Sequence, residues 1–180
     1  EGGEWADGGL FIINGSEALG RDAQAPVIAR PGDAADFVFH RPDTEGLYFG
    51  EGFEGSLQAT AGDFDGDGRV DLAIGLPSNT QYAQWKGQVY VFFGIGDRSG
   101  DLVLTDAAVV LGGERNGDGF GRLATLPGMD INDDRIDDLL ISAGHADATE
   151  TGLRADAGKI YVVHGKALAF ELPADFVELG

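Results

Sequence analysis

The sequence predicts an all-β chain built from repeated four-stranded sheets. Three observations carry this. Glycine is unusually frequent, at 30 of 180 residues, which implies many tight turns and short strands. Three glycine-bounded runs, 8–15, 87–94 and 158–165, are dominated by β-branched and aromatic residues. No segment carries an apolar stripe of helical period, so little helix is expected.

The runs in question are Leu10-Phe11-Ile12-Ile13, Val89-Tyr90-Val91-Phe92-Phe93 and Ile160-Tyr161-Val162-Val163. They do not alternate between apolar and polar residues, so they are expected to be covered on both faces. Two longer segments repeat each other at a constant phase. Phe53 and Phe120 are 67 residues apart, and so are Asp63 and Asp130. The shared order is a glycine-aromatic corner, an acidic loop and an apolar strand.

One unit therefore reads as strand, acidic loop, strand, variable loop, strand, connection, strand. In the first complete unit the strands are expected near 56–61, 72–76, 88–93 and 102–111. In the second they are expected near 122–127, 139–143, 159–163 and 170–178. The N-terminal part supplies two strands of a preceding unit, near 10–13 and 36–39, with a Pro/Gly/Ala-rich connector over 16–35. The expected divisions are 1–46, 47–113 and 114–180.

Composition excludes several function classes. Apolar residues are 43% and aromatics 9%, which is a globular rather than a disordered balance. The net charge is −19, which argues against nucleic acid and against anionic membrane surfaces. Lysine occurs only at Lys86, Lys159 and Lys166. Such a surface fits salt adaptation, carboxylates committed to metal, or both. There is no cysteine, so disulfides and thiolate metal sites are absent. No run approaches the roughly 20 apolar residues of a membrane span, and no membrane insertion is expected. The chain opens at Glu1 without a methionine or signal-like segment, which reads as a processed product or a piece of a longer protein.

The acidic loops carry the candidate chemistry. Asp63, Asp65, Asp67 and Asp71 stand at positions 1, 3, 5 and 9 of a tight loop, with Gly68 at position 6. Calcium takes six to eight oxygens from carboxylates and backbone carbonyls. Spacing of two on a curled loop turns three carboxylates inward, the carbonyl of Arg69 adds a fourth group, and Asp71 closes the shell from the next strand. Two like charges at about 4 Å repel by roughly 4 kcal/mol at an effective dielectric of 20, so a cation would relieve the loop. The second loop offers Asp130, Asn132, Asp134, the carbonyl of Ile136, and Asp138. It has one charge fewer and places Arg135 where the first loop has glycine. Asp133 and Asp137 are read as lying outside the ligand set.

Taken together these residues resemble the FG-GAP repeat. Phe120-Gly121 matches its Phe-Gly corner, Phe53-Glu54-Gly55 is a stretched version of it, and Gly75-Leu76-Pro77 stands where the family has Gly-Ala-Pro. Ser142-Ala143-Gly144 departs from that pattern. The resemblance implies the β-propeller of integrin α-subunits and of many bacterial surface proteins. It covers residues 47–180 well. On that basis the chain holds about two and a half blades of an incomplete propeller. Four-stranded units cannot hide both faces alone, and a ring needs about 4–8 blades. A longer parent chain or several copies would complete it.

Dockerins and EF-hands follow such a loop with a helix, whereas Leu72-Ala73-Ile74-Gly75-Leu76 reads as a strand. Nucleophile and phosphate-loop motifs are absent from the sequence. The resemblance implies a non-catalytic, calcium-binding module, extracellular or at the cell surface. Its expected partner is a protein or polysaccharide ligand, or a further copy completing the propeller. An accessory domain of a secreted enzyme and a subunit of an extracellular filament are the other readings. Asn14-Gly15-Ser16 is read as a chance sequon, and His40, His145 and His164 as loop or strand-end residues. Trp85 and Tyr82 stand in the variable loop.

Overall fold

A computed structural model describes residues 10–12, 37–40, 58–77, 86–95, 100–126, 128–147 and 156–166. These residues are all-β, arranged as partial blades of a β-propeller. No α-helix occurs among them, and no helix is long and apolar enough to cross a membrane. The expected strand at 170–178, the connector, the sequon and the Tyr82–Trp85 loop lie outside the described residues.

The first complete blade contains β3 (Gln58–Gly62), β4 (Asp71–Leu76), β5 (Gln88–Phe92) and β7 (Val109–Gly112). They form an antiparallel meander in that order. The second blade contributes β8 (Phe120–Leu123), β9 (Leu139–Ala143) and β10 (Lys159–Val163), antiparallel with β9 in the middle. A third sheet pairs β1 (Leu10–Ile12) antiparallel to β2 (Phe37–His40) and β2 parallel to β6 (Gly100–Val103).

Two strand expectations change. Residues 102–111 were expected as one strand, but the chain divides. β6 joins the third sheet, a 3₁₀ turn spans Leu104–Asp106, and β7 then completes the first blade. Asp106 Oδ2 accepts the Val103 N–H at 3.0 Å, and the Ala107 N–H donates to the Leu104 carbonyl at 3.2 Å. That short-range bonding interrupts a run that residue preferences alone would continue. β8 starts two residues before the expected 122–127, at Phe120, and it carries an irregularity between Phe120 and Arg122.

The first blade is buried on both faces, as its apolar run implies. Ala73, Val89, Val91, Val109 and Leu111 pack against Phe120, Leu139 and Ile141 of the second blade. On the opposite side Leu72, Ile74, Tyr90 and Phe92 pack with Ile95, Leu102 and Leu104. β10 corrects the expectation of cover on both sides. Tyr161 and Val163 face the first blade, whereas Ile160 is 69% exposed and Val162 42% exposed.

Backbone contact explains the Phe-Gly corner. The Phe120 N–H donates to the Lys86 carbonyl at 3.0 Å, and the ring is buried edge-on against Tyr161. Gly121 has φ 117, and its carbonyl fills the space that a Cβ at Gly75 would need. A side chain at Gly75 is therefore excluded by the neighbouring blade's main chain. The Phe-Gly corner of one repeat rests on the Gly-x-Pro segment of the repeat before it.

A polar latch ties the β7–β8 connection to β10. Glu114 accepts from Lys159 Nζ at 2.7 Å and from the Tyr161 hydroxyl at 2.8 Å. The Lys159 hydrogen bond leads in holding the Glu114 carboxyl below its ordinary value, against partial desolvation. Burial, followed by the Glu114 hydrogen bond, pushes the Tyr161 phenol up. A carboxyl lowered in the folded state stabilises above its unfolded value of about 4.5 and loses that contribution as pH falls through the lower, folded value. Glu114→Gln should cost about 1 kcal/mol at pH 7, because the pair is partly exposed. Urea melts at several pH values should show the deficit vanishing below pH 4.5. A deficit that does not change with pH would assign the effect to packing.

Candidate metal centre

The first acidic loop leaves β3 at Gly62 and enters β4 at Asp71. Its turn needs left-handed backbone at two positions, filled by Gly66 (φ 74) and Gly68 (φ 81). The Gly68 N–H donates to Asp63 Oδ2 at 2.9 Å, the Asp67 N–H to Asp65 Oδ1 at 3.1 Å and the Arg69 N–H to Asp67 Oδ1 at 2.8 Å. Each carboxylate thus bends the backbone just downstream of itself.

Asp63, Asp65 and Asp71 come together, each offering an oxygen within 4.8 Å of the others. Asp63 Oδ1 is buried and is the one such side-chain atom without a hydrogen-bond partner among the described residues. A buried carboxylate oxygen without a donor is costly. It fits a cation. Desolvation, with the charges of Asp67 and Asp63 beside it, pushes the Asp65 carboxyl up. Desolvation also pushes Asp71 up, with Asp65 adding to it, although the Gly94 and Phe64 hydrogen bonds pull the other way. Asp67 and Arg69 stay on the exposed rim, where they pair with each other at 3.6 Å.

Asp71 is also a staple. It is fully buried and accepts the Phe64 N–H and the Gly94 N–H, both at 2.7 Å. The loop and the end of β5 are thereby tied to one carboxylate. The second blade repeats this. Asp138 is fully buried and accepts from Ile131 N–H at 2.7 Å and Gly165 N–H at 2.9 Å.

The second loop keeps the same turn bonds: Asp130 Oδ2 accepts from Arg135 N–H, Asn132 Oδ1 from Asp134 N–H and Asp134 Oδ1 from Ile136 N–H. It adds a bond from the Asp134 N–H to Asp130 Oδ1. Asn132 Nδ2 donates to Asp134 Oδ2 at 2.9 Å. Arg135 (φ 71) and Asp133 (φ 61) occupy the left-handed positions that glycine holds in the first loop. Three carboxylates do not converge there as they do in the first loop. His164 Nδ1 lies 3.2 Å from Asp138 Oδ2. Desolvation raises Asp138, but the hydrogen bonds from Ile131, Gly165 and His164 outweigh it and leave the carboxyl below its ordinary value. The residue matching His164 after β5 is Phe93. Asp71 therefore stands among gathered carboxylates, whereas Asp138 has a hydrogen bond with His164.

Sequence spacing does not assign two contributors: it makes His164 a strand-end residue and Asp137 a flanking acid. Asp137 Oδ2 accepts the Asp63 N–H at 3.0 Å across the blade interface. The one available signal for Asp137 was the extra acid before Asp138, where the first loop has Val70.

Residues 57–92 match the FG-GAP repeat family model. The match runs through β3, the first acidic loop, β4 and β5. No curated protein matches the chain.

Asp71→Ala strands two N–H groups around a buried position, so it should cost about 2–4 kcal/mol. Urea unfolding in chelator measures this without any contribution from metal. A loss under about 1 kcal/mol would mean that Asp71 is not a staple.

Proposed function

From an FG-GAP repeat whose acidic loop gathers three carboxylates, we propose a non-catalytic, calcium-binding propeller module. It works outside the cell or at the cell surface, in adhesion or in a structural assembly. The observation that carries the calcium reading is the buried, partnerless Asp63 Oδ1 beside Asp65 and Asp71. In this reading Asp63, Asp65, Asp67, the Arg69 carbonyl and Asp71 hold the ion. All-oxygen donor sets of this kind suit a hard cation. Calcium supplies positive charge and rigidity to the loop; the chain's own residues curl the backbone, exclude water from Asp63 Oδ1 and anchor the loop to the sheet. Asp130, Asn132, Asp134, the Ile136 carbonyl and Asp138 form a weaker second site, because two non-glycine residues take left-handed backbone and His164 already occupies Asp138 Oδ2.

The exposed Ile160 and Val162 support a stack that continues beyond the second blade. The continuing blades belong to a longer parent chain or to another copy. The assembled ring then presents its loops to a protein or polysaccharide ligand.

Calorimetric titration with calcium, paired with thermal melting, tests the metal. Calcium at a hundred times its dissociation constant should stabilise the fold by about 2.7 kcal/mol per site. For a chain of this size that is a rise of roughly 5–10 °C in Tm. Asp67→Ala should remove the tighter event and Asp134→Ala should leave it. No heat and no shift in Tm would end the calcium reading; loss of the tighter event in Asp134→Ala would reverse the ranking of the loops.

A further inference from the structure

The first loop is held in part by the second blade. Asp137 belongs to the second acidic loop, yet its Oδ2 accepts the Asp63 N–H at 3.0 Å and the Gly128 N–H at 3.3 Å. Its own N–H donates back to the Asp63 carbonyl at 2.9 Å. Both backbone polar groups of Asp63 are thus committed to one residue across the interface. The next carbonyl, that of Phe64, accepts the Lys166 N–H at 3.1 Å. Space is tight as well: a Cβ at Gly62 would stand 2.8 Å from Asp137 Oδ2.

Within the first loop Asp63 Oδ2 is taken by Gly68 N–H, and Oδ1 is buried without a partner. The place of Oδ1 is therefore set from two sides, by Gly68 through the side chain and by Asp137 through the backbone. The arrangement has a direction. Val70 takes the place of Asp137 in the first loop and is 55% exposed, so no matching carboxylate reaches outward from that loop.

We infer that Asp137 is a positioning residue for the first-loop calcium site and couples calcium there to the packing of the two blades. This rests on the calcium reading above. Asp137 does not itself hold the ion. It fixes Asp63 so that Oδ1 faces the cation, and in return the bound cation stiffens the Asp63–Asp137 clasp. Linkage makes the two effects equal in size.

Calorimetry on the wild-type chain, Asp137→Ala and Asp137→Asn tests the coupling. Loss of a residue that orients a ligand typically weakens metal binding by about 10–100-fold, and about tenfold or more is expected for Asp137→Ala at the tighter site. Asp137→Asn keeps an oxygen that accepts the same two N–H groups and should return the affinity to within about threefold of wild type. Unchanged affinity in Asp137→Ala overturns the coupling and leaves the calcium reading standing. Equal weakening in both variants also overturns it, because charge rather than the hydrogen bonds would then be at work. No binding to the wild-type chain removes both. Should Asp137→Ala not fold, hydrogen exchange on the wild-type chain decides. Calcium should slow exchange of the Asp137 and Lys166 N–H groups by about tenfold, and the slowing should vanish in Asp67→Ala. Exchange that calcium leaves unchanged overturns the coupling.

Discussion

The Gly121 carbonyl sits where a side chain at position 75 would have to go, and the Phe120 N–H is bonded to the Lys86 carbonyl. Close backbone approach at this corner governs how far apart the first and second blades can stand. Phe120 then fills the core between them, with Ile141 on its own sheet and Val89 and Leu111 on the facing one. Neither sheet could bury these residues alone, since each is one layer thick. The two acidic loops are brought side by side by the same seating, because they leave corresponding strands of adjacent blades.

The loops are copies in skeleton and differ in charge. Asp71 and Asp138 bind equivalent N–H groups, one from the loop and one from the residue two past the third strand. A buried carboxylate with two donors is a local solution to ending a loop and a strand together. Beside Asp138 the solution is completed by His164; beside Asp71 the corresponding residue is Phe93, and further carboxylates crowd in. The first loop thus gathers three carboxylates, whereas the second has Asn132 at the position of Asp65. Repeats that diverge in this way can share one fold while their loops differ in affinity.

Much of the fold was legible in the chain. β4, β5, β9 and β10 fall within about one residue of their expected limits because their apolar runs are bounded by glycine or aspartate. The division of 102–111 was not legible, since Asp106 acts through a hydrogen bond to a backbone group and leaves no periodic trace. Exposure of Ile160 and Val162 was also hidden. Their residue types match those of Val89 and Val91, and the difference lies in whether a further sheet covers them. For the candidate site, spacing identified the loop acids, and a positive φ at Arg135 follows from its alignment with Gly68.

Spacing and residue type by themselves determined the repeat, the strands and the identity of the acids, because these depend on local geometry and on glycine's freedom at Gly66 and Gly68. Only the tertiary structure decided which acids converge and which are already satisfied. Asp63 keeps a bare oxygen because its other groups are taken by Gly68 and by Asp137 from the next blade. Asp138 Oδ2 has a side-chain partner because β10 ends where His164 can reach it. Asp137 lies 74 residues from Asp63 and reaches it by packing of one blade on another. His164 lies 26 residues from Asp138 and reaches it through the pairing of β9 with β10.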